Sequence, residues 1–256
     1  MTLVFSKDRA LQLDAFLRSY AAYVGRGVVH VLWTASTPRH EAAYRALPPR
    51  PWVRMVAQSD AFQADVLALV PTVGTVLLFV DDQLFVRRWD GTGTPGLSLR
   101  LGLHLTHDYA AGGAAQPLPP AWAVGDDQIA WHWRDGAYAW GYPLSLDGHV
   151  FDAREFRQML EAITCTSPNT LEAALQVFRP QWLDRVGRCY RAAKVVNLPW
   201  NLVQTDWVNP HGTTHHADAL LTYWEAGQQI ALGPLAGVLN TSTHQEYPLT
   251  LEPRAS

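Results

Sequence analysis

The sequence predicts an α/β protein whose central sheet is largely parallel and flanked by helices. Two observations support this fold class. Short apolar segments alternate with amphipathic segments from the first residues to Val80, and such alternation is typical of βαβ units. The segment Val76–Val80 is an unbroken run of Val, Leu and Phe that follows Gly74, which indicates a strand buried on both faces of a parallel sheet.

Strands and helices alternate regularly in the first part of the chain. Leu11, Leu13, Phe16 and Leu17 recur at near-helical spacing, and glycines follow shortly after, so an amphipathic helix is predicted over residues 10–24. The predicted elements, strand and helix in turn, are Thr2–Phe5, 10–24, Val28–Trp33, Glu41–Leu47, Val53–Val56, Phe62–Leu69 and Val76–Val80.

The pattern is looser after residue 90. Asp135-Gly136 is the strongest short hairpin signal in the chain, and it predicts a hairpin of the strands Ile129–Trp133 and Ala137–Tyr142. The Ala, Gly and Pro content of Ala111–Pro120 indicates a flexible loop near the active site. The other predicted elements are helices over Leu97–Leu105, Ala153–Ile163, from Pro168 onward and over Asp218–Ala226, and a strand over Lys194–Asn197. No repeat or linker interrupts the pattern, so one domain over 1–256 is predicted.

Composition excludes several classes of function. Apolar residues make up 48% of the chain and charged residues 17%, as in a folded globular protein. The net charge is −3 without a basic run, so no nucleic-acid partner is expected. No apolar segment approaches the roughly 20 residues of a membrane span, and no signal peptide is recognisable. A cytoplasmic protein with reduced Cys165 and Cys189 is therefore expected.

The predicted strand Val76–Val80 ends on two adjacent carboxylates, Asp81 and Asp82. Ligands of open α/β sheets bind at the carboxyl ends of the strands. Adjacent carboxylates repel each other unless a cation lies between them, and Mg²⁺ is usually held by one or two carboxylates together with substrate phosphates. Alternatively, Asp81 and Asp82 only open a turn and cap the next element. A second acidic pair, Asp126-Asp127, follows a Pro-rich loop and is expected to lie in a solvated turn.

Four stretches in order, F-S-K-D-R, F-Q-A-D-V-L-A-L-V, L-L-F-V-D-D-Q-L-F and V-V-N-L-P-W-N-L-V-Q, resemble bacterial glycosyltransferases of the GT-A fold, the nucleotide-diphospho-sugar transferases. The resemblance implies a GT-A-like fold, with a nucleotide-binding half over 1–90 and an irregular acceptor-binding half over 91–256. It also implies a UDP- or GDP-type sugar donor and a saccharide or other hydroxyl acceptor. Asp81 and Asp82 would then hold Mn²⁺ or Mg²⁺ in the manner of the family's DXD motif.

Residues at the end of the first strand are candidates for holding the nucleotide. Lys7 and Arg9 can pair with phosphate, Ser6 lies beside them, and Phe5 can cover the base. Alternatively, these residues form a capping turn, with Ser6 or Asp8 as the helix N-cap and the basic side chains solvated.

An inverting transferase needs a carboxylate base near the acceptor oxygen, and Glu172 and Asp147 are the candidates. The alternative for Glu172 is a capping box with Asn169, and for Asp147 a turn with Gly148. By resemblance a histidine late in the chain can add a metal ligand; His211, His215 and His216 are candidates, unless they belong to a solvated loop. Trp131, Trp133, Trp140 and Trp200 either stack on an acceptor sugar or belong to the core.

Two other functions remain open from the sequence. A sugar-phosphate nucleotidyltransferase shares this type of sheet but usually has a Gly-rich phosphate loop after the first strand, whereas F-S-K-D-R contains no Gly. A non-catalytic domain that binds nucleotides or carbohydrates would keep the fold without turnover.

Overall fold

The computed structural model describes residues 1–204 and 210–254. The strands, in chain order from β1 to β15, are Thr2–Lys7, Val29–Thr34, Val53–Ala57, Thr75–Val80, Gln83–Phe85, Leu97–Ser98, His107–Asp108, Ala114–Ala115, Trp122–Val124, Gln128–His132, His149–Asp152, Val186–Tyr190, Val195–Asn197, Gln228–Ile230 and Leu251–Pro253. The α-helices, from α1 to α7, are Ala10–Tyr23, Pro38–Arg45, Phe62–Leu69, Ala153–Glu161, Pro168–Leu175, Arg179–Trp182 and Ala217–Glu225.

Nine strands form one central sheet in the order β3-β2-β1-β4-β11-β6-β12-β10-β9. The first four are mutually parallel, whereas β11 runs antiparallel to β4 and the far side of the sheet is mixed. The predicted class, an α/β fold with a largely parallel sheet core flanked by helices, is therefore confirmed. The regular first part of the sequence forms the parallel region, because each helix returns the chain to the same end of the sheet.

The central strands are buried on both faces because successive side chains enter different cores. On one face Val4 and Phe79 pack with Phe16 of α1. On the other face Leu3 and Leu78 pack in a cluster with residues of α3, α4 and α5. This two-sided burial explains why β4 reads as an unbroken apolar run.

Two predicted elements of the second half are wrong. Leu97–Leu105 is not a helix: Leu97–Ser98 forms β6, and the chain continues irregularly through buried Leu99 and Leu101. The hairpin around Asp135-Gly136 is also absent, because residues 133–141 form two short 3₁₀ turns instead. The hairpin forms instead between β9 and β10, which are joined by the turn Gly125–Asp127. That pairing confirms the solvated turn expected for Asp126-Asp127, both of which are exposed.

Of the two alternatives for Trp131, Trp133, Trp140 and Trp200, the structure supports the core, because all four side chains are buried. Trp131 lies with its ring centroid 4.8 Å from those of both Trp133 and Trp140, in edge-to-face contacts. Trp200 is 4% exposed and donates its indole N–H to the Tyr247 carbonyl. Trp131, Trp133 and Trp140 share one hydrophobic cluster in the second half of the chain, whereas Trp200 belongs to the cluster that packs around α1.

Within the described part of the chain, none of the helices has the length and apolar character needed to cross a membrane. Cys165 and Cys189 are buried and unpaired.

Candidate active site

The central strands β1 and β4 define the switch point of the sheet, because the chain order reverses there. From β1 the chain continues outward to β2 and β3 on one side, and then returns to β4 on the other side. Ligands of doubly wound sheets bind in the crevice outside the carboxyl ends of the strands at this point. A pocket of about 920 Å³ occupies that position, and its walls include Lys7 from the end of β1 and Asp81 from the end of β4.

Asp81 is fully engaged in a network of hydrogen bonds. Its Oδ2 accepts from Ser6 Oγ at 2.8 Å and from the Lys7 N–H at 3.2 Å. Its Oδ1 accepts from Arg9 Nη1 at 3.0 Å. The strand register explains these contacts. Phe5 of β1 pairs with Val80 of β4, so the residues that follow, Ser6 and Asp81, lie side by side.

Asp82 differs from Asp81 because one of its oxygens remains without a donor. Oδ2 accepts from Arg9 Nη1 at 2.8 Å. Oδ1 is buried and has no hydrogen-bond partner among the described residues. An unsatisfied buried acceptor that lines a pocket is costly unless a ligand or ion completes it. The two aspartates do occupy a turn between β4 and β5, as the alternative interpretation expected, but neither carboxylate caps a helix.

Arg9 acts as an internal counter-ion between the two carboxylates. It is 8% exposed, contacts Asp81 and Asp82 with the same nitrogen, and donates through Nη2 to the Asn201 carbonyl. Burial opposes its charge, but Asp82 and Asp81 together raise the pKa of Arg9 above its ordinary value. One guanidinium balances only one of the two carboxylate charges, and burial raises the pKa of both Asp81 and Asp82.

The predicted nucleotide-binding residues all line the pocket, yet they are not equally available. The Ser6 hydroxyl is engaged by Asp81 and by the Tyr44 hydroxyl, at 2.6 Å from the latter, and Arg9 is committed to the carboxylates. Phe5 and Lys7 remain as candidates for contact with a ligand. Neither Ser6 nor Asp8 caps α1. The N-cap residue of this helix is Arg9, whose side chain makes no capping hydrogen bond.

A second cluster of charged side chains is centred on Asp147, which precedes β11 in the chain. Its Oδ2 accepts from Arg100 Nη1 at 3.0 Å and lies 3.3 Å from His244 Nε2. Burial opposes ionisation, but the hydrogen bond from His244 and the charge of Arg100 lower the pKa of Asp147. Gly148 makes this position possible, because it adopts φ +72° and a side chain there would press on Phe79.

Glu172 lies in α5 and anchors the loop that carries Asp147. Its Oε2 accepts from the Leu146 N–H at 2.8 Å and from Ser145 Oγ at 3.4 Å, and it shares a hydrogen bond with the Tyr142 hydroxyl. Burial and the neighbouring charge of Asp147 raise the pKa of Glu172. The predicted capping box with Asn169 is wrong, because Ser167 and Thr170 form the box of this helix.

The predicted histidines separate into two groups. His211 lines the pocket, whereas His215 and His216 are not among its lining residues. His216 is the N-cap of α7 and accepts from the Asp218 N–H. The histidine that does meet the acidic groups is His244, which the sequence analysis missed because no local pattern connects it to Asp147.

Asn197 and Asn201 are further pocket residues that local patterns did not single out. Asn197 Oδ1 and Asn201 Nδ2 are buried without a partner among the described residues. Asn197 pairs with Gln83 between β13 and β5 and forms an isolated β-bridge with His244. Because Gln83 directly follows Asp82, this pairing places Asn197 next to Asp82. Both asparagines lie in the stretch N-L-P-W-N, which entered the sequence analysis only as part of the resemblance to GT-A glycosyltransferases.

No cluster of three or more His, Cys, Asp or Glu side chains arranged to hold a metal occurs in residues 1–204 and 210–254. The assignment of Asp81 and Asp82 as metal ligands therefore stays a prediction. Of the loop Ala111–Pro120, predicted to lie near the site, Ala111 lines the pocket, together with the preceding residues Asp108–Ala110.

Solved structures of two enzymes are similar to this chain. One is the galactosyltransferase LgtC in complex with donor and acceptor sugar analogues, at 13% identity and a TM-score of 0.39, covering 88% of this chain and 96% of that one. Another is UDP-glucose pyrophosphorylase complexed with UDP-glucose, at 11% identity and a TM-score of 0.37, covering 74% and 89%.

An active-site variant of LgtC also matches, at 17% identity and a TM-score of 0.27; this match covers 34% of this chain and only 39% of that one. No protein-family model and no curated protein sequence matches the chain. These neighbours agree with the resemblance to the GT-A fold, but their TM-scores of 0.27, 0.39 and 0.37 assign neither a family nor an activity to this chain. A fold hosts many activities, so the activity has to be argued from the pocket.

Proposed function

We propose that this chain is a glycosyltransferase that moves a sugar from a nucleotide-diphosphate donor of the UDP or GDP type to an acceptor hydroxyl, assisted by Mn²⁺ or Mg²⁺. One observation carries the proposal. The pocket at the switch point of the sheet contains a buried carboxylate oxygen of Asp82 that has no partner among the described residues, and Asp147 and Glu172 line the same pocket. These are the groups that transfer to a hydroxyl requires: a place for the charged leaving diphosphate and a carboxylate base.

The residues present fit a divalent cation at Asp82. The Oδ1 atoms of Asp82 and Asn197, which lack a partner within residues 1–204 and 210–254, are of the carboxylate and amide type that Mg²⁺ and Mn²⁺ prefer. Asp147 and His244 are near enough to influence the pKa of Asp82. A bound cation would act as a Lewis acid on the leaving diphosphate. Asp81, whose oxygens are all engaged, supports Asp82 through the shared guanidinium of Arg9.

The set of protein ligands is small, as expected when the substrate completes the coordination. Magnesium sites in such enzymes commonly use one or two carboxylates together with phosphate oxygens and water. Lys7 lies at the same edge of the pocket and can pair with a phosphate. The nucleoside would then lie beside the ends of β1–β3, where Phe5, Leu32 and Thr34 form the wall.

Glu172 is better suited than Asp147 to act as the general base. The pKa of Glu172 is raised by burial, which makes its carboxylate more basic, whereas the pKa of Asp147 is lowered by its cationic partners. A base is most effective when its pKa approaches the working pH. We therefore assign proton abstraction to Glu172, while Asp147 stays anionic and holds Arg100 and His244 in place.

The geometry of the β1–α1 turn disfavours the nucleotidyltransferase alternative. A phosphate-binding loop needs free backbone N–H groups. In this turn the N–H of Lys7 donates to Asp81, that of Asp8 to the Thr34 carbonyl, and that of Arg9 to the Tyr44 hydroxyl. The turn is therefore closed upon the protein itself.

Titration calorimetry with UDP and GDP, in EDTA and then in Mn²⁺, tests the proposal. We expect one of the two nucleotides to bind only with the cation. Asp82→Asn keeps the size but removes the charge and should weaken cation-supported binding at least about tenfold, since even outer partners of metal ligands matter this much. Asp126→Asn, in the exposed turn, is the matched control and should bind like the wild type. Equal affinity in EDTA and Mn²⁺ would contradict the cation site.

A further inference from the structure

Tyr138 is an exposed aromatic residue in a strained backbone conformation at the pocket. It has φ +51° and is one of two non-glycine residues with positive φ in the described part of the chain. Its side chain is 47% exposed and belongs to the pocket lining. A bulky residue rarely adopts this conformation, which persists only where the surrounding structure enforces it, often at binding sites.

The surrounding loop enforces this conformation through rigid packing. The backbones on either side of Tyr138 touch, since a Cβ at Gly136 would lie 2.2 Å from the Trp140 carbonyl oxygen. The Trp131 indole donates to that same carbonyl at 2.9 Å, and the Ala139 N–H donates to Gln116 Oε1 at 2.9 Å. The tryptophan core therefore holds a tight loop in which the Tyr138 side chain is exposed.

The position of Tyr138 in the fold assigns it to one end of the pocket. The proposed nucleoside wall lies at β1–β3, whereas Tyr138 and Tyr142 belong to the segment that joins β10 to β11 on the other side of β4. Glu172 is on this side too and hydrogen-bonds with the Tyr142 hydroxyl. The ring is thus at the end of the pocket that carries the proposed base, away from the nucleoside wall.

We propose that the Tyr138 ring is the stacking platform for the sugar ring of a saccharide acceptor. This inference rests on the proposed function, which has the sugar transferred to an acceptor hydroxyl, and it adds the chemical class of that acceptor. A flat aromatic face offers apolar contact to the C–H face of a pyranose, while the polar groups around Glu172 meet its hydroxyls. The fixed loop reduces the entropy lost on binding, because the backbone that carries the ring is held in place before the sugar arrives.

Saturation-transfer NMR tests the platform with methyl glycosides of glucose, galactose, mannose and N-acetylglucosamine, in the presence of UDP or GDP and Mn²⁺. We expect saturation transfer to ring protons of at least one glycoside in the wild type. Tyr138→Gly suits the positive φ and should fold, yet we expect its glycoside affinity to fall roughly tenfold. Tyr138→Phe keeps the ring and should retain most of the affinity. Tyr223→Ala removes an exposed tyrosine on α7 and is the control.

The outcomes separate the platform from the proposed function. Glycoside binding that is unchanged in Tyr138→Gly, or absent from the wild type for the whole panel, overturns the platform. Nucleotide affinity measured by calorimetry should be the same in Tyr138→Gly and the wild type; a parallel loss would place the ring against the donor and overturn the acceptor assignment. A wild type that binds a glycoside but neither nucleotide would instead contradict the proposed function and leave the platform supported.

Discussion

Replacing Glu172 separates the catalytic role that we propose for this residue from the structural contact that it makes. Its carboxylate is the proposed base, and its Oε2 also holds the Leu146 N–H at 2.8 Å in the loop that carries Asp147. Glu172→Gln keeps an oxygen for that N–H but cannot abstract a proton. We expect kcat to fall by about 10²–10⁴-fold with little change in nucleotide affinity.

Glu172→Ala removes the anchor as well as the base. It leaves the Leu146 N–H without its acceptor, which costs about 1–3 kcal/mol of folding free energy for a buried group. At about 2–4 °C per kcal/mol for a chain of this size, the melting temperature should fall by about 2–12 °C. Glu172→Gln should melt at or above the wild-type temperature.

The pH dependence gives a further distinction. The folded-state pKa of Glu172 is raised above its unfolded value, so the folded protein binds this proton more tightly. The wild type therefore loses stability as the pH rises from the unfolded pKa through the folded pKa, and Glu172→Gln should lack this loss. The melting temperatures of both variants at pH 5 and 8, together with single-turnover transfer rates, measure these effects. A Glu172→Gln protein with a normal transfer rate would refute the base assignment.

Two more predictions concern Arg9 and the loop after Asp108. Arg9→Gln leaves two buried carboxylates without their cation and should lower the free energy of unfolding by about 3–5 kcal/mol at pH 8. This loss of stability should be smaller at pH 5, where the carboxylates take up protons. Urea denaturation at both pH values measures it, and an equal loss at pH 5 and pH 8 would disprove the prediction. Arg45→Gln, in an exposed pair with Glu41, is the control and should cost at most about 0.5 kcal/mol. Because Asp108–Ala111 lines the pocket, cleavage of Ala111–Pro120 by elastase should slow when nucleotide and Mn²⁺ bind; an unchanged cleavage rate would count against closure of this loop over the site.

The sequence alone predicted the parallel half of the sheet, and it singled out the strand end at which the candidate pocket lies. The apolar run of β4 followed by Asp81-Asp82 is a local signal, because burial on both faces and the end of a strand leave direct marks in the order of residues. The helices at α1, α3 and α4 were predictable for the same reason, since their apolar spacing is set by the face each presents to the sheet.

Only the tertiary structure decided which of these residues are free to act. Arg9 reads as a phosphate ligand in sequence, but folding buries it between Asp81 and Asp82, where desolvation makes their mutual pairing obligatory. His244 reaches Asp147 across almost one hundred residues of chain, as no local spacing could indicate. The sequence left two roles open for the tryptophans, and the structure buries all four of them, whereas it leaves Tyr138 exposed. Local patterns report burial and periodicity, whereas the pairing of charges and the exposure of single rings depend on contacts between distant segments.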